Sequence, residues 1–493
     1  MTDAHFIGID LGTLDVRGVL VTAEGTVKAE VHHTLNVHSP APGACEHNPE
    51  KDWWQSSRMI IQQLLATENV SPASVEGVGV AGLFPSACFL DEQSDPIGNA
   101  LLYSDNRASH LLSWVSDVVG QPLKGDETIP RLLWLAQERQ EIFERIKKVL
   151  TPTGYVVFRL TGRMSIDPHN ASRMGGVVKK DGDGWRQDVL DDLEIPAEIF
   201  PESFPLVKVV GGVSERAAQD TGLKQGTPVI TGTTDTLAAL VGSGVQEIGE
   251  AMIYYGSSCT LSVVTVPFAE AVVGLESFGI DAPYQLAVYL PSSGAILRWA
   301  FDLFTSLQEE VPPQDTVFEK LDAAAAHIDP GAEGLFVLPY FSGRFFPRPD
   351  SQASGHIAGL KLNHSIGHVW RALLEAPGYV IADRLRHPLP HQMKRMWASG
   401  GGARSKIWRG IISNISGIPQ YYAPEGSGAL GIAFLAAFGT GHVSRFSTLS
   451  EEWLQSIEVT EPDEQVVASY LDKKETWRRL DLAAGYSQSP SNK

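Results

Sequence analysis

Cysteine and long hydrophobic segments are scarce in this sequence. Three cysteines (Cys45, Cys88 and Cys259) occur in 493 residues, and this sparse, odd number is typical of a reducing compartment. The first residues, MTDAHFIGIDLG, lack the basic region and apolar run of a signal peptide. The most apolar late segment, GALGIAFLAAF, is too short and too rich in glycine to span a bilayer. We therefore expect a soluble, cytoplasmic protein that does not act at a membrane.

Positive charge is scarce as well. The chain has 39 lysines and arginines against 58 aspartates and glutamates, which gives a formal net charge of −19. The sequence has no basic stripe that would follow a phosphate backbone, so we expect no nucleic-acid partner. An anionic substrate must instead be held locally, by amide groups, helix ends or a metal ion.

Several functional motifs are absent or incomplete. No GxxxxGK[ST] sequence occurs, which argues against a P-loop nucleotide site. His387 and His391 are four residues apart, but two prolines break any helix that would align them on a metal. The GxGxxG match at 77–82 precedes another strand-like run rather than a helix, so it is not a dinucleotide fingerprint. The match at 426–431 does precede a helix, where close helix packing alone would explain the small residues.

The length and the order of predicted elements indicate two α/β domains. A chain of 493 residues is too long for one hydrophobic core. The runs FIGIDLG, VRGVLVT and TVKAEVHHTL predict an antiparallel meander, followed by a helix at Asp52–Thr67 and by the strands VEGVGVAG and ACFLD. EAMIYYG and TLSVVTV predict a second hairpin, and another helix begins near Ser405. We therefore predict duplicated domains at residues 1–245 and 246–485, with a disordered tail at residues 486–493.

An aspartate interrupts the first predicted strand. In the run GIDLGT, Asp10 stands at the end of an apolar strand, where a carboxylate is costly to bury unless a cation or hydrogen-bond donors satisfy it. One interpretation is a Mg²⁺ site near a phosphate, with an amide from Gly12 and a hydroxyl from Thr13. The other is an Asx turn within a hairpin. The residues alone leave both interpretations open.

Two further turns are rich in small residues. Gly256, Ser257 and Ser258 separate two predicted strands and can point amides at an anion, although an ordinary hairpin has the same composition. Three glycines at 400–402 and Ser405 precede a predicted helix. Such glycines permit a nucleotide to approach the backbone closely, and the alternative is a flexible loop.

Three charged residues are candidates for contact with a substrate. Asp105 and Arg107 share a face of an extended YSDNR segment and can bind hydroxyl groups, or they form a surface ion pair of little energetic value. Asp235 lies in TGTTDTLAALVGSG, between a predicted strand and a predicted helix. It is either the N-cap of that helix, worth about 1 kcal/mol, or the acceptor of a substrate proton.

Taken in order, these segments resemble the FGGY family of carbohydrate kinases. The similarity extends over nearly the whole chain and includes IGIDLGT, PAPGACEHNPEKDWW, YSDNRA, GTTDTLAAL, GSS, GLFVLPYFSG, GHIAGLKLNHSIGHVWRALLE and GGGARSKIW. The resemblance implies an α/β fold of two ribonuclease-H-like (actin-like ATPase) domains flanking a central cleft. It also implies that ATP, with Mg²⁺, phosphorylates a small sugar or polyol.

The resemblance also implies roles for individual residues. Asp235 matches the catalytic base and lies at the sugar, and Asp10 and Asp235 match the metal site. The phosphate-binding and ATP-binding positions are Gly12, Thr13, Gly256, Ser257, Ser258, Gly401, Gly402 and Ser405. The sugar-side positions are Asp105, Arg107 and Leu83, of which Asp105 is the expected hydroxyl ligand.

Several positions depart from the family pattern. A tryptophan is replaced by Tyr103, a small or hydroxyl residue by Leu14, and a glutamine by Leu83. Further departures lie at Gly410, Ser413–Asn414 and Arg344–Phe345. The phosphate and base positions are kept, whereas positions flanking the sugar and the nucleotide vary. The pattern therefore supports kinase chemistry better than it identifies a substrate.

Length and motif order resemble the xylulose kinases within this family. The first expected substrate is therefore D-xylulose, phosphorylated on a primary hydroxyl, while ribulose, pentitols, gluconate and glycerol stay open. Two other functions are compatible with parts of the pattern. An actin-like ATPase would need only the nucleotide turns, and a catalytically weak sugar sensor would tolerate the altered sugar-side positions. A homodimer is one open state of assembly.

Overall fold

The computed structural model of the chain describes residues 4–67, 70–179, 184–266, 284–306, 313–345, 350, 352–387, 389 and 391–485. The tail predicted to be disordered, residues 486–493, and the two prolines between His387 and His391 lie outside these ranges. Within the described part of the chain, no helix is long and apolar enough to cross a membrane.

The strands are numbered in chain order. They are β1 (His5–Leu11), β2 (Asp15–Thr22), β3 (Val27–Thr34), β4 (Glu46–His47), β5 (Val75–Gly82), β6 (Cys88–Leu90), β7 (Ala100–Leu101), β8 (Lys148–Leu150), β9 (Ser165–Ile166), β10 (Glu202–Ser203), β11 (Val209–Gly212), β12 (Pro228–Ile230), β13 (Thr233–Thr234), β14 (Glu250–Tyr255), β15 (Cys259–Val264), β16 (Tyr284–Leu290), β17 (Phe336–Leu338), β18 (His356–Ala358), β19 (Arg395–Ser399), β20 (Gln420–Tyr422) and β21 (Glu458–Thr460).

The α-helices are numbered in the same way. They are α1 (Ser56–Thr67), α2 (Leu112–Val119), α3 (Thr128–Glu138), α4 (Gln140–Phe143), α5 (Pro152–Thr161), α6 (Pro168–Ser172), α7 (Gln187–Asp192), α8 (Glu215–Thr221), α9 (Asp235–Gly242), α10 (Gly294–Thr305), α11 (Gln314–Ala326), α12 (Ile366–Leu385), α13 (Lys406–Ser416), α14 (Gly428–Gly439), α15 (Glu464–Ser469) and α16 (Leu471–Ala483). The helix predicted at Asp52–Thr67 is α1, preceded by a wider π-helical turn at Pro49–Gln55.

The chain forms two compact units. The first comprises residues 4–246 and Glu425–Gln455, and the second comprises Glu247–Val266, Tyr284–Pro424 and residues 456–485. The division predicted at residue 245 assigns Glu425–Gln455 to the second domain, whereas this segment packs in the first unit. The boundaries of functional domains stay a prediction.

The main sheet of the first unit has the strand order β11–β12–β5–β1–β2–β3, with β13 also paired to β5. Strands β1, β2 and β3 form the predicted antiparallel meander, and β5 joins β1 in parallel. Because side chains alternate across a strand, Ile7, Ile9 and Leu11 of β1 enter one hydrophobic core together with α1 and α5. The first GxGxxG match lies within β5 and is followed by β6 rather than a helix, which confirms its rejection as a dinucleotide site.

The main sheet of the second unit repeats this order. It runs β16–β15–β14–β19–β20–β21, with the hairpin β14–β15–β16 antiparallel and β14, β19 and β20 parallel. Ala251, Ile253 and Tyr255 of β14 enter a core formed with α12 and α13. Three antiparallel strands followed by parallel ones therefore occur twice in the chain. This duplication is the arrangement of ribonuclease-H-like domains, and it confirms the predicted fold class.

Candidate active site

Asp235 is the first residue of α9 and follows the short strand β13 directly. The preceding Thr234 has extended backbone angles, and its hydroxyl oxygen accepts a hydrogen bond from the amide of Leu237 at 3.1 Å. The N-cap is therefore Thr234, and the N-cap interpretation of Asp235 is wrong. The carboxylate Oδ1 of Asp235 accepts a hydrogen bond from the Thr236 amide at 2.7 Å. The carboxylate of Asp235 thus adds one bond to the first turn of α9 through Oδ1, while Oδ2 has no role in the start of the helix.

Asp10 lies near the end of β1, at the same edge of the sheet as Asp235. In the parallel register, Asp10 is paired with Ala81 and Thr234 is paired with Gly82, the next residue of β5. The amide of Gly12 donates to the carbonyl of Asp15 at 2.8 Å, so the hairpin turn is closed by the backbone. Among the described residues, the buried Oδ1 of Asp10 accepts no hydrogen bond. The Asx-turn interpretation of Asp10 is therefore wrong.

The two carboxyl groups are held in an environment that disfavours their negative charge. Burial, followed by the charge of Asp235, raises the pKa of Asp10 to about 8. Burial also raises the pKa of Asp235 to about 7, and this rise outweighs the opposing hydrogen bonds from Thr236. Both carboxyls would ionise more readily if a cation or additional donors were present.

The pair satisfies part of what Mg²⁺ requires. In the part of the chain that the structure describes, no group of three or more His, Cys, Asp or Glu side chains is arranged to hold a metal. Mg²⁺, however, commonly keeps several waters and takes only one or two carboxylates together with phosphate oxygens. The unbonded Oδ1 of Asp10 and the raised pKa values of Asp10 and Asp235 indicate a deficit of positive charge. These residues therefore fit Mg²⁺.

The second GxGxxG match has a packing role beside this pair. A Cβ added to Gly428, the first residue of α14, would lie 2.3 Å from Oδ2 of Asp10. A Cβ added to Gly431 would lie 2.1 Å from the carbonyl oxygen of Ala238 in α9. These glycines allow the N-terminal turn of α14 to pack directly on Asp10 and on α9. The interpretation of this match as close helix packing is confirmed.

A buried network holds the strand that leads to Asp235. The hydroxyl of Thr233 donates to Oδ2 of Asp167 at 3.1 Å, and the hydroxyl of Thr153 donates to the carbonyl of Thr233 at 2.7 Å. Burial raises the pKa of Asp167 to about 6 even though several donors surround it. Sequence analysis missed Asp167. Its signal was the Asp-Pro pair at the start of α6, which is typical of an N-cap followed by proline.

Asp105 and Arg107 form a buried cluster rather than a surface ion pair. The Asp105 side chain has no exposed surface, and its oxygens accept hydrogen bonds from the amides of Cys45 and Arg107 and from the Arg107 guanidinium. Arg107 also donates to Oε1 of Glu46 at 2.7 Å, and it lies over the ring of Trp134. The surface-pair interpretation is wrong. The carboxylate of Asp105 is fully engaged within the protein.

The first small-residue turn lies beside this cluster. The hydroxyl of Thr13 is 3.5 Å from the hydroxyl of Tyr103, the residue that replaces the family tryptophan. The Gly12 amide is engaged in the hairpin turn and is not free for an anion. Of the two residues predicted to bind phosphate here, Thr13 has the more available polar group.

Leu83 is enclosed in the hydrophobic core. None of its side chain is exposed, and its amide donates to the carbonyl of Leu11 at 2.8 Å. The next residue, Phe84, is partly exposed and is the apolar group that this turn presents to the surface. The sugar-side role of Leu83 stays a prediction, and Phe84 is the neighbouring residue that has exposed surface.

The predicted phosphate turn of the second unit connects β14 to β15. The Gly256 amide donates to the Ser258 carbonyl, and the carbonyls of Gly256 and Ser257 accept hydrogen bonds from residues 293–295 at the start of α10. Within the described residues, the amides of Ser257 and Ser258 have no hydrogen-bond partner. Ser257 is an exposed residue and Ser258 a half-buried one, and two successive amides without a partner at a turn are suited to binding an anion.

The glycine-rich segment of the second unit forms a tight turn before α13. Gly401 is exposed, and Gly402 lies against the ring of Trp408. Ser405 caps α13, because its hydroxyl oxygen accepts from the Trp408 amide at 3.2 Å, and the same hydroxyl donates to Oδ2 of Asp322 at 2.6 Å. The segment is therefore a 3₁₀ turn that a cap and a side-chain hydrogen bond hold at its end, which favours an ordered turn over a flexible loop.

Comparison with known proteins matches these elements over most of the chain. Residues 5–242 match the N-terminal domain of the FGGY family of carbohydrate kinases, and residues 251–440 match the C-terminal domain of that family. The xylulose kinase of Escherichia coli K12 is 31% identical over 492 residues, with 96% of this chain and 98% of that protein covered. The gluconokinase of Bacillus subtilis 168 is 23% identical, with 91% of this chain and 90% of that protein covered.

The fold is also similar to solved structures. The ligand-bound xylulose kinase of Lactobacillus acidophilus superposes with a TM-score of 0.83 at 22% identity, with 98% of this chain and 99% of that chain covered. The xylulose kinase of Rhodospirillum rubrum gives a TM-score of 0.82 at 26% identity, with the same coverage. Both family domains occur in the expected order and together span most of the sequence. The chain therefore belongs to the FGGY family of carbohydrate kinases, and it is an enzyme that phosphorylates a sugar with ATP.

Proposed function

We propose that the protein transfers the γ-phosphoryl group of ATP to a primary hydroxyl of a ketopentose, with D-xylulose as the preferred substrate. The observation that carries this proposal is the position of Asp235. It is the first residue of α9, the helix is capped by Thr234 instead, and its carboxylate lies close enough to Asp10 to raise the pKa of that group. The choice of D-xylulose is supported by the 31% identity to the Escherichia coli xylulose kinase along nearly the whole chain.

Asp235 is the proposed proton acceptor. A catalytic base works best when its pKa lies near the operating pH, and burial raises the pKa of Asp235 to about 7. Its hydrogen bonds from Thr236 use Oδ1 and leave Oδ2 for a substrate hydroxyl. Because phosphoryl transfer has a loose transition state, we expect the remaining residues to contribute mainly by positioning and by neutralising charge.

Asp10 and Asp235 are the proposed holders of Mg²⁺. The ion, when bound there with phosphate oxygens and water, would neutralise charge on the transferred group. Asp10 would then be an ionised carboxylate ligand of the ion. Its Oδ1 is buried, and it has no protein donor among the described residues.

The sugar side is proposed to present Arg107 and Phe84. The Nε and Nη2 groups of Arg107 bind Asp105 and Glu46, whereas Nη1 has no hydrogen bond within the described part of the chain. Asp105 holds the Arg107 guanidinium in place through these hydrogen bonds. We therefore assign Asp105 a positioning role and propose that Arg107 contacts a hydroxyl of the sugar. Phe84 replaces Leu83 as the apolar contact, since only Phe84 has exposed surface.

The ATP side is proposed to use backbone donors. Ser257 and Ser258 offer two free amides, Thr13 offers a hydroxyl, and Gly401 and Gly402 allow the adenosine to approach the backbone. Ser405 holds the glycine turn in place through its bonds to Trp408 and Asp322. Binding phosphates mainly by amides is consistent with a chain whose net charge is −19.

The proposal is tested by measuring ADP release with ATP, Mg²⁺ and each of D-xylulose, D-ribulose, a pentitol, D-gluconate and glycerol. We expect the highest kcat/KM with D-xylulose and a product phosphorylated on the primary carbon, as located by ³¹P–¹H correlation NMR. The Asp235→Asn variant is the control that ties turnover to this site. Gluconate is the second candidate because of the gluconokinase relative. ADP release without any sugar would instead favour an ATPase, and sugar binding without turnover would favour a sensor.

A further inference from the structure

A buried histidine lies between the catalytic junction and the sugar-side turn. His169 belongs to α6, and 3% of its surface is exposed. Its Nδ1 is 3.1 Å from the hydroxyl oxygen of Thr234, the cap of α9. Its ring also packs on Phe84, with the ring centroids 4.9 Å apart. One side chain thus touches both the residue before Asp235 and the aromatic residue proposed to face the sugar.

The hydrogen-bond pattern defines what His169 does for Thr234. The Thr234 oxygen already accepts the Leu237 amide, so its proton is free to be donated. Thr234 is fully buried, where an undonated hydroxyl proton is unfavourable, and Nδ1 of His169 is placed to accept it. Burial and the nearby Arg173 lower the pKa of His169 to about 3, so the ring is neutral, and the tautomer protonated on Nε2 leaves the lone pair of Nδ1 for this bond. Two consecutive hydrogen bonds therefore connect the Leu237 amide to the Thr234 hydroxyl and the Thr234 hydroxyl to His169.

The backbone of α6 is itself anchored to the same strand. Asp167 caps α6 by accepting hydrogen bonds from the amides of His169 and Asn170, and it also accepts the hydroxyl of Thr233. Thr233 and Thr234 are consecutive residues of β13. The two residues before Asp235 are therefore each bonded to the first turn of α6, which fixes where the carboxylate of Asp235 starts.

We propose that His169 is a positioning residue that sets the location of the proton acceptor through Thr234 and the location of the sugar through Phe84. The hydrogen bond and the ring contact have separate consequences. The bond controls the placement of Asp235 and hence kcat, because misplacing a reacting group by about 1 Å can lower the rate about 10²-fold. The ring contact controls the apolar wall of the sugar site and hence the KM for the sugar. This inference rests on the proposed role of Asp235 as the proton acceptor.

Two substitutions of His169 separate these consequences. His169→Phe keeps a ring against Phe84 but cannot accept the Thr234 proton, so we expect kcat to fall about tenfold or more with little change in sugar KM. His169→Asn keeps an acceptor at the position of Nδ1 but removes most of the ring, so we expect sugar KM to rise about two- to tenfold with kcat nearly unchanged. The KM for ATP should stay constant in both variants.

Variants of Thr234 test the same bond from the other side. Thr234→Val should lower kcat as His169→Phe does, and Thr234→Ser should restore it. Thr234→Val removes the His169 bond together with the cap on the Leu237 amide, so the double variant His169→Phe/Thr234→Val should be no slower than Thr234→Val alone. His5→Phe is the matched control. His5 lies on β1, five residues before Asp10, and it is also buried, with its Nδ1 3.1 Å from the Ser74 hydroxyl. It should lower the melting temperature without changing kcat.

The outcomes distinguish this role from a structural one. If His169→Phe and His169→Asn alter kcat and KM in the same proportion, and only as far as their melting temperatures fall, His169 is structural and the inference is overturned. The inference would also be overturned if the loss of kcat in the double variant equalled the product of the losses in His169→Phe and Thr234→Val. If the unsubstituted protein phosphorylates no sugar, the proposed function and the inference both fall. Normal turnover by the parent and by His169→Phe would overturn the inference alone.

Discussion

Replacing Asp235 by asparagine is expected to make the protein inactive and more stable at the same time. Asparagine keeps the oxygen that accepts from the Thr236 amide at 2.7 Å, and the cap of α9 is Thr234, so the helix start is preserved. The substitution removes the ionisable carboxyl and with it the proposed proton acceptor. Loss of a general base typically lowers kcat about 10²–10⁴-fold.

The gain in stability follows from the raised pKa. The pKa of Asp235 rises from 3.8 to about 7 on folding, so between these values the folded state holds a proton that the unfolded state releases. The contribution of Asp235 to stability therefore falls as pH rises from about 4 to about 7, and this contribution is constant above that range. Three pH units at 1.36 kcal/mol each give an upper bound of about 4 kcal/mol. Asp235 is partly accessible to water, so we expect about half of this free energy, or about 2 °C in melting temperature for a chain of 493 residues.

The assay compares melting temperatures of the parent and Asp235→Asn between pH 4 and 8.5, without nucleotide or divalent cation. The difference should be near zero at pH 4 and should grow to about pH 8, because removing the charge of Asp235 also lowers the pKa of Asp10 from about 8. Asp117→Asn, a substitution at an exposed aspartate of α2, is the control and should show no such trend. A variant that melts below the parent at pH 8 would refute the assigned cost of burial. Turnover within tenfold of the parent would refute the proton-acceptor role.

Three further substitutions test other parts of the site. Gly428→Ala places a methyl group in steric conflict with Oδ2 of Asp10, so we expect kcat to fall at least about tenfold in steady-state assays, together with a lower melting temperature. Arg107→Lys keeps the positive charge but loses the paired bonds to Asp105, so sugar KM should rise about tenfold while ATP KM is unchanged. Ser405→Ala removes a helix cap and should cost about 1 kcal/mol in unfolding experiments, with ATP KM raised because the glycine turn loosens. An unchanged KM for ATP in this last variant would separate capping from nucleotide binding.

Local patterns were sufficient to predict most of the fold. The meander β1–β3, the hairpin β14–β15 and the helix after Ser405 each have a regular pattern of apolar residues within a short window, and all three were confirmed. The assignment of Glu425–Gln455 to the first unit was not predictable in this way. The residues of α14 itself are apolar on every face of the helix. Its sequence therefore indicates that the helix is buried, but not which strands it packs against.

The candidate site was predicted less completely, and the reasons are physical. Thr234 and Asp235 are both good cap residues, and a sequence cannot decide by one residue where a helix begins. The spacing of Asp105 and Arg107 was visible, but their burial depends on Glu46, which is 61 residues away from Arg107. His169 lies in no recognisable motif, because its partners Phe84 and Thr234 come from distant parts of the chain.

The position of α14 has a consequence for how the protein is made. This helix packs on β1, β5 and α9, yet it is encoded almost 200 residues after α9. Ribosomes add about 5–20 residues per second, so the apolar faces of β1 and β5 stay exposed for many seconds after their synthesis, until α14 has been made and can pack on them. The first unit is therefore completed only when Glu425–Gln455 has been synthesised. A nascent chain that ends before residue 425 would expose the surface on which Asp10 is later enclosed, which makes this stretch of synthesis the period when the protein depends most on chaperones.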